Sequence, residues 1–340
     1  MHDLGSRYFS RRKWLQLSSG MILAGAEVIQ TRRQLIASSN IGKSKARIAI
    51  TLDLEMSRNF PRREDTHWDF EKGNLNDATK KYSVEAAKRV KSQGGKIHFF
   101  CVGRVLEQPS VEWLQTIHRD GHPVGNHTYD HVNVLATSPQ ELQFRFQRAP
   151  WLISGRTAAE VISDNIRLTT IALKQRVNIE NRGFRTPGGF ATGLHGREDI
   201  QQMLLSLGFK WVSSLYPSHA NTAAKVEPTE SVFNSLIEAS KQAQPFVYPT
   251  GLIEIPMSPI SDIGAFRNGE WKLEWFLEAI RRVIVWTIEN KATFDFLAHP
   301  SCLGVVDPEM KTIDLICQLV RDAGESAEIV DLDQIAADVK

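Results

Sequence analysis

The sequence predicts an α/β fold, a distorted (β/α) barrel of about seven parallel strands in a single domain. Three observations predict it. Short runs rich in β-branched and aromatic residues alternate with amphipathic stretches from residue 46 onward, the order expected of a parallel sheet wrapped by helices. Polar side chains stand at the ends of several of these runs, where barrels and open α/β sheets gather their chemistry. A chain of 340 residues is long enough to bury the core that such a barrel needs.

Composition narrows the function classes. Apolar residues make up 42% and charged residues 24%, ordinary for a globular protein. A net charge of only +2 gives no electrostatic case for nucleic acid or an anionic membrane surface. Three cysteines, Cys101, Cys302 and Cys317, are too few and too scattered for a disulfide framework or a thiolate metal site. No repeat or low-complexity tract is present.

The N-terminus carries its own signal. Ser10-Arg11-Arg12-Lys13-Trp14-Leu15-Gln16 places a twin-arginine pair ahead of a moderately apolar run, Leu15 to Ile29, containing the small residues Ala24-Gly25-Ala26. That layout predicts a Tat-type signal over 1–26 and a polar linker over 27–45, ahead of a single domain over 46–340. The partner implied is the Tat export machinery, and the location periplasmic or secreted. The run is too short and too rich in Ser and Gly for a stable membrane span. The alternative is an amphipathic N-terminal helix of a cytoplasmic protein.

From there each element has a local reason. Arg47 to Asp53 reads as the first core strand. The charged stretch 54–78, with Phe60, Trp68 and Phe70, reads as a long loop walling a site. A helix through Val84, Ala87 and Val90 stops at Gly94-Gly95. Lys96 to Val102 is the second strand. Ser110 caps the next helix, and a third strand ends at His127. Ser138-Pro139-Gln140-Glu141 and Thr157-Ala158-Ala159-Glu160 are capping boxes that predict two further helices. Arg182 to Arg185 is the fourth strand, broken by Thr186-Pro187-Gly188-Gly189. After a helix through Ile200 and Leu204 come a fifth strand, Phe209 to Ser213, and a sixth, Leu252 to Ile255, with a helix over 229–242 between them. A helix over 271–289 leads to the seventh strand, Phe294 to Ala298. A last helix, Pro308 to Gly324, precedes a final strand over Ile329 to Leu332. The sheet is expected to be closed or nearly closed.

Polar groups then fall at four strand ends: Asp53 with Glu55, His127 with His131, Arg185, and His299. Spacing by two puts Asp53 and Glu55 on one side of an extended chain. Spacing by four puts His127 and His131 on one side of a helical turn. A carboxylate with two imidazoles makes a three-ligand site with room for water, the catalytic pattern of zinc and its relatives, and leaves the other carboxylate as a base. Taken singly, Asp53 and Glu55 read equally as strand-end solvation, Arg185 as a surface ion pair, and His299 as a packed turn residue. His67, His98, His118, His122, His195 and His219 receive no role. Glu254 and Asp262 fall near the sixth strand's end without an assigned task.

In order, Thr51-Leu52-Asp53-Leu54-Glu55, His127-Thr128-Tyr129-Asp130-His131, Arg185-Thr186-Pro187-Gly188 and Leu297-Ala298-His299-Pro300 resemble the motifs of the polysaccharide deacetylase family, the NodB-homology domain. The resemblance runs from about residue 46 to the C-terminus. It implies a distorted (β/α) barrel that removes acyl groups from amide nitrogen with a divalent metal, zinc being expected. In the common form of the first motif two aspartates are adjacent; here Leu54 takes the second place. The chain looks like a branch with carboxylates spaced by two, which includes peptidoglycan deacetylase-like and allantoinase-like members.

The resemblance carries Asp53 over as base and Glu55, His127 and His131 as metal ligands. Arg185 would keep Asp53 ionised and oriented, and His299 would protonate the departing amine. The family's tryptophan motif is matched only loosely by Trp211, which is given no role. The function implied is an N-deacetylase of amino sugars in a polysaccharide or peptidoglycan, with a glycan or other N-acylated substrate as partner. Two rivals stand beside it: a ring-opening hydrolase of a small cyclic amide, and a glycan-binding protein without turnover.

Overall fold

The computed structural model describes residues 45–65, 72–181 and 183–339. The export signal over 1–26, all of the linker but Lys45, and His67, Trp68 and Phe70 lie outside the described residues. Lys45–Lys340 forms one compact unit.

The sheet grows from β1 (Ala46–Leu54), whose nine residues are almost wholly buried. Such a run must lie between layers, because both of its faces are buried. Its neighbours are β2 (Ile97–Cys101) on one edge and β8 (Thr293–Ala298) on the other. Beyond β2 follow β3 (Val124–Asn126), β4 (Gly183–Phe190), β5 (Trp211–Leu215) and β7 (Ile253–Glu254), all paired parallel. That path holds seven strands, as the alternation predicts. β6 (Phe246–Val247) adds an antiparallel edge to β7, and β9 (Ala327–Ile329) lies beside the first half of β1. Among the described residues no strand ladder joins β8 to β7. Instead Ser258, just past β7, donates its N–H to the Asp295 carbonyl at 2.8 Å, and its Oγ accepts from Leu297 N–H at 3.2 Å. The curled sheet is thus nearly closed.

Four local expectations need correction. β4 does not break at Thr186-Pro187-Gly188-Gly189 but runs through it to Phe190. An irregularity against β5 between Arg185 and Phe190 absorbs the proline, with Gly188 at φ +76°. The capping box at Ser138 opens only a 3-10 turn, Pro139–Glu141, rather than a helix; a one-turn helix, Phe144–Arg148, follows. The final strand ends at Ile329, and Leu332 instead begins a helix, Leu332–Asp338. Asp331 caps it by accepting from Gln334 N–H at 2.9 Å, and the Gln334 side chain reciprocates. That Asp-x-x-Gln box is a start signal for a helix. The stretch 300–322 holds two helices, Pro300–Val306 and Lys311–Asp322, in place of one from Pro308 to Gly324.

Inside the curl, polarity is layered. Thr51, Asp53, Arg185, Ser213 and Asp295 are buried toward the carboxyl ends of the strands. Ala49, Phe100, Trp211 and Ile255 pack into an apolar plug with Val330, Leu332, Ile335 and Ala336, which follow β9 beside the amino half of β1. The helix Leu332–Asp338 therefore covers the floor of the barrel. Gly183 makes room for this plug, since a Cβ there would come within 1.8 Å of the Trp211 ring.

Candidate active site

β1 stops at Leu54, whose side chain is fully buried in the core away from the mouth. The chain bends at once, with Glu55 N–H donating to the Asp53 carbonyl at 3.0 Å. Ser301 Oγ donates to the Glu55 carbonyl at 2.8 Å and fixes the bend. Both carboxylates line the mouth, yet Asp53 is only 3% and Glu55 only 4% exposed, so neither is mere strand-end solvation.

His127 and His131 meet by a different route from the one expected. The stretch between them is not a helical turn. Thr128 and His131 both take left-handed backbone angles, φ 57° and 58°, which turn the chain back on itself. Side chains hold that conformation. Asn126 Oδ1 accepts from Thr128 N–H at 2.9 Å, Thr128 Oγ1 from Val132 N–H at 3.0 Å, and Asn165 Oδ1 from Asp130 N–H at 2.7 Å. Asp130 is clamped in turn by Arg104 and Arg145. The two imidazoles end with centroids 5.0 Å apart.

Glu55, His127 and His131 present one donor atom each within 4.8 Å of one another. Glu55 Oε2 lies 2.6 Å from His131 Nε2 and 4.0 Å from His127 Nε2. That oxygen is buried and has no hydrogen-bond partner. His127 Nδ1–H donates to the Arg185 carbonyl at 3.0 Å, which leaves Nε2 bare and aimed at the carboxylates. Burial lowers the pKa of both imidazoles, that of His131 to about 4, so both are neutral near pH 7. Burial works against the Glu55 carboxylate, but His131 and Lys72 outweigh it and hold Glu55 well below the ordinary range. A buried carboxylate oxygen with two neutral imidazole nitrogens within 4.0 Å of it fits a divalent cation.

Lys72 was not legible beforehand. It comes from the long charged loop, and its Nζ donates to Glu55 Oε1 at 2.8 Å, turning Oε2 toward the histidines. Asp53 stands beside the cluster with Oδ2 3.6 Å from His127 Nε2 and 4.0 Å from His299 Nε2. Its other oxygen accepts from Arg185 at 3.1 Å. Arg185 is no surface residue: it is fully buried, bonded to Thr51 and Ser213, paired with Asp295, and stacked 4.3 Å from the Phe100 ring centroid. Burial pushes the Asp295 carboxyl up to about 6 despite Arg185 beside it.

His299 follows β8 and has its Nε2 3.7 Å from Glu55 Oε1. Asp262 takes both of its N–H groups, the backbone at 2.7 Å and Nδ1 at 2.9 Å. Burial disfavours the imidazolium, yet Asp262, Asp53 and Glu55 together raise the His299 pKa above the usual histidine value. Glu254, by contrast, is fully buried and accepts from Ser214, Leu215 and Tyr248, a structural post outside the mouth. Asp53, Glu55, His127, His131 and His299 thus line one cavity of about 580 Å³, with Arg185 buried behind it and Thr186, Tyr216, His219, Asn221 and Arg267 in its further lining.

A family model described as polysaccharide deacetylase matches residues 69–212. The match includes His127, His131 and Arg185 and stops short of Asp53, Glu55 and His299 on either side. Among solved structures, a putative polysaccharide deacetylase from Mycobacterium smegmatis is similar at 15% identity and TM-score 0.55, covering 88% of this chain and 91% of that one. A probable polysaccharide deacetylase from Pseudomonas aeruginosa PAO1 is similar at 12% identity and TM-score 0.57, over 87% and 91%. Puue allantoinase is similar at 12% identity and TM-score 0.56, over 88% and 91%. These three share the fold of this chain. No curated protein matches its sequence.

Proposed function

We propose that the chain is a metal-dependent amide hydrolase that removes N-acetyl or other N-acyl groups from amino sugars of a glycan. The observation that carries this reading is the division of labour at one mouth. Glu55, His127 and His131 form a cation-shaped donor set, Asp53 is held against a buried arginine, and His299 is held by Asp262. Glu55, His127 and His131 would hold the ion, which when bound supplies Lewis-acid polarisation of an acyl oxygen and a more acidic water. Asp53, with Oδ2 facing the cavity and Oδ1 tied to Arg185, accepts the proton of an attacking water. His299 bears a proton on Nε2, favoured by Asp262 behind it, and delivers that proton to the departing nitrogen, which leaves poorly as an amide anion. Zinc suits the mixed imidazole and carboxylate donors.

The family match favours the glycan. A ring-opening hydrolase of a cyclic amide draws support from the bounded volume of the cavity, which suits a compact ligand as well as a sugar unit. The zinc-loaded chain should release acetate from N-acetylglucosamine oligomers or peptidoglycan and leave small cyclic amides intact. Turnover of the cyclic amides alone would replace the glycan reading with the ring-opening one. No turnover on either, with zinc bound, would favour the glycan-binding rival.

Export is proposed on Arg11-Arg12 and the apolar run after them. Replacing both arginines with lysine should leave the precursor in the cytoplasm, since the Tat receptor reads that pair. Unchanged export would remove the Tat route.

A further inference from the structure

A second grouping of metal-type donors lies at the opposite end of the barrel. His98 sits near the start of β2, and Asp331 and Asp333 flank the start of the helix Leu332–Asp338. One donor atom from each lies within 4.8 Å of the others. We propose that His98, Asp331 and Asp333 bind a divalent transition-metal cation that fastens the C-terminal segment across the barrel floor.

Three observations carry the proposal beyond the coincidence of acidic residues. His98 is 2% exposed, and its Nδ1 is buried without any hydrogen-bond partner, in a place where a polar atom normally finds one. Its ring is held in position rather than loose, stacked on Phe100 at 4.8 Å and edge-on to Trp211 at 5.3 Å. Each carboxylate is oriented through one oxygen. Asp331 Oδ1 accepts from Gln334 N–H at 2.9 Å, and Asp333 Oδ1 accepts from Trp211 Nε1–H at 2.9 Å. Outer hydrogen bonds of this kind aim metal ligands. Lys96 approaches Asp331 Oδ2 at 3.5 Å, but its side chain is 48% exposed and can swing into water. Two carboxylates and one imidazole balance a divalent charge, and their mixed nitrogen and oxygen character suits zinc, manganese or cobalt better than calcium. The floor is the end of a barrel where such a group serves stability rather than turnover. Here it would tie together segments far apart in sequence.

The test removes the ions at the mouth first. The double variant Glu55→Ala, His131→Ala is stripped with chelator, loaded with cobalt(II) or zinc, dialysed, and its metal content measured. The floor site predicts about one ion retained per chain. Adding Asp333→Asn, which keeps an acceptor for Trp211, should weaken retention at least tenfold, a floor set by the effect of far milder outer-shell changes. Circular dichroism checks that the variants fold. Should they not, the intact chain gives a second reading. Bound cobalt(II) should quench Trp211 fluorescence, seen as quenching lost in Trp211→Phe, and total metal should approach two ions per chain. A folded double variant that retains no ion, or one that retains it undiminished after Asp333→Asn, overturns the proposal. So does an intact chain that stops at one ion per chain with unquenched Trp211. None of these readouts requires the chain to be a deacetylase.

Discussion

The mouth and the floor of the barrel use the same residue types in different surroundings. Both join imidazole to carboxylate, and both bury the imidazole enough to keep it neutral, His131 with a pKa lowered to about 4 and His98 to about 3. At the mouth the donors open onto a cavity and are ringed by further titratable groups: Asp53, Lys72, His299 and, behind them, Arg185 and Asp262. At the floor the neighbours are Phe100, Trp211 and the apolar plug, with no second base or acid poised toward a cavity among the described residues. Ligands alone do not make a catalytic centre. What separates the two ends is the presence of proton-transfer groups, each held by its own partner, beside space for a substrate.

The sharpest way to break this contrast is to remove the base without touching the ligands. Asp53→Asn keeps the shape and should keep the mouth ion, while turnover falls by about 10²–10⁴, the range for a lost proton-transfer partner. Excess metal should not restore it. Glu55→Ala should instead lose the ion, with activity partly recovered at high metal concentration. If dialysed Asp53→Asn comes out metal-free and Glu55→Ala stays loaded, the two roles are exchanged.

Much of this was legible in the sequence because strand ends in a parallel barrel must converge. Asp53, Glu55, His127, His131, Arg185 and His299 therefore meet whatever the details of the helices between them. What the spacing misled on was the local path. Four-residue spacing suggested a helical turn for His127 and His131, yet two left-handed residues deliver them, a conformation that the β-branched Thr128 rarely takes and that side-chain bonds from Asn126, Thr128 and the distant Asn165 hold. Partners of the site were harder still. Asp295 stands in an otherwise apolar strand, Phe294 to Ala298, and a lone acid there is a readable sign of a buried role. Asp262 was seen without a task, and nothing in the loop that carries Lys72 marks it out from its charged neighbours. The Asp-x-x-Gln box at Asp331 was readable and was missed because Ile329 to Leu332 looked like a strand.

A smaller effect is expected at the acid. His299→Ala should cost about 10²-fold or more in kcat on substrates with poor leaving groups and less where the departing nitrogen is well stabilised. Equal losses on both would count against proton donation by His299. Its pH behaviour follows from the raised pKa. If His299 is the acid, its protonated form is the active one, so activity is present below that pKa and lost as pH rises through it, which places the alkaline limb above the usual histidine range. Asp262→Asn removes a carboxylate that raises this pKa and should move the alkaline limb to lower pH while leaving the metal in place. A limb that stays put would assign it to another group.

The smallest effect belongs to the floor, and it is a difference of differences. Asn caps helices about as well as Asp, so Asp331→Asn should leave the helix Leu332–Asp338 capped while deleting one charge from the cluster. If Asp331 acts only as a cap, the variant and its parent should melt alike with or without metal. If it also ligates an ion, the two should melt alike in chelator and part in zinc, where the parent gains RT ln(1 + [L]/Kd), about 2.7 kcal/mol at a hundredfold excess over Kd. For a domain of this size that is a shift of about 5–10 °C in Tm, at roughly 2–4 °C per kcal/mol. The comparison is made in the Glu55→Ala, His131→Ala background, so that an ion at the mouth adds nothing to either curve. A zinc-independent difference would mean that the carboxylate charge matters to the folded chain directly, through Lys96 at 3.5 Å, and the floor would then be an ion pair and a helix cap rather than a metal site.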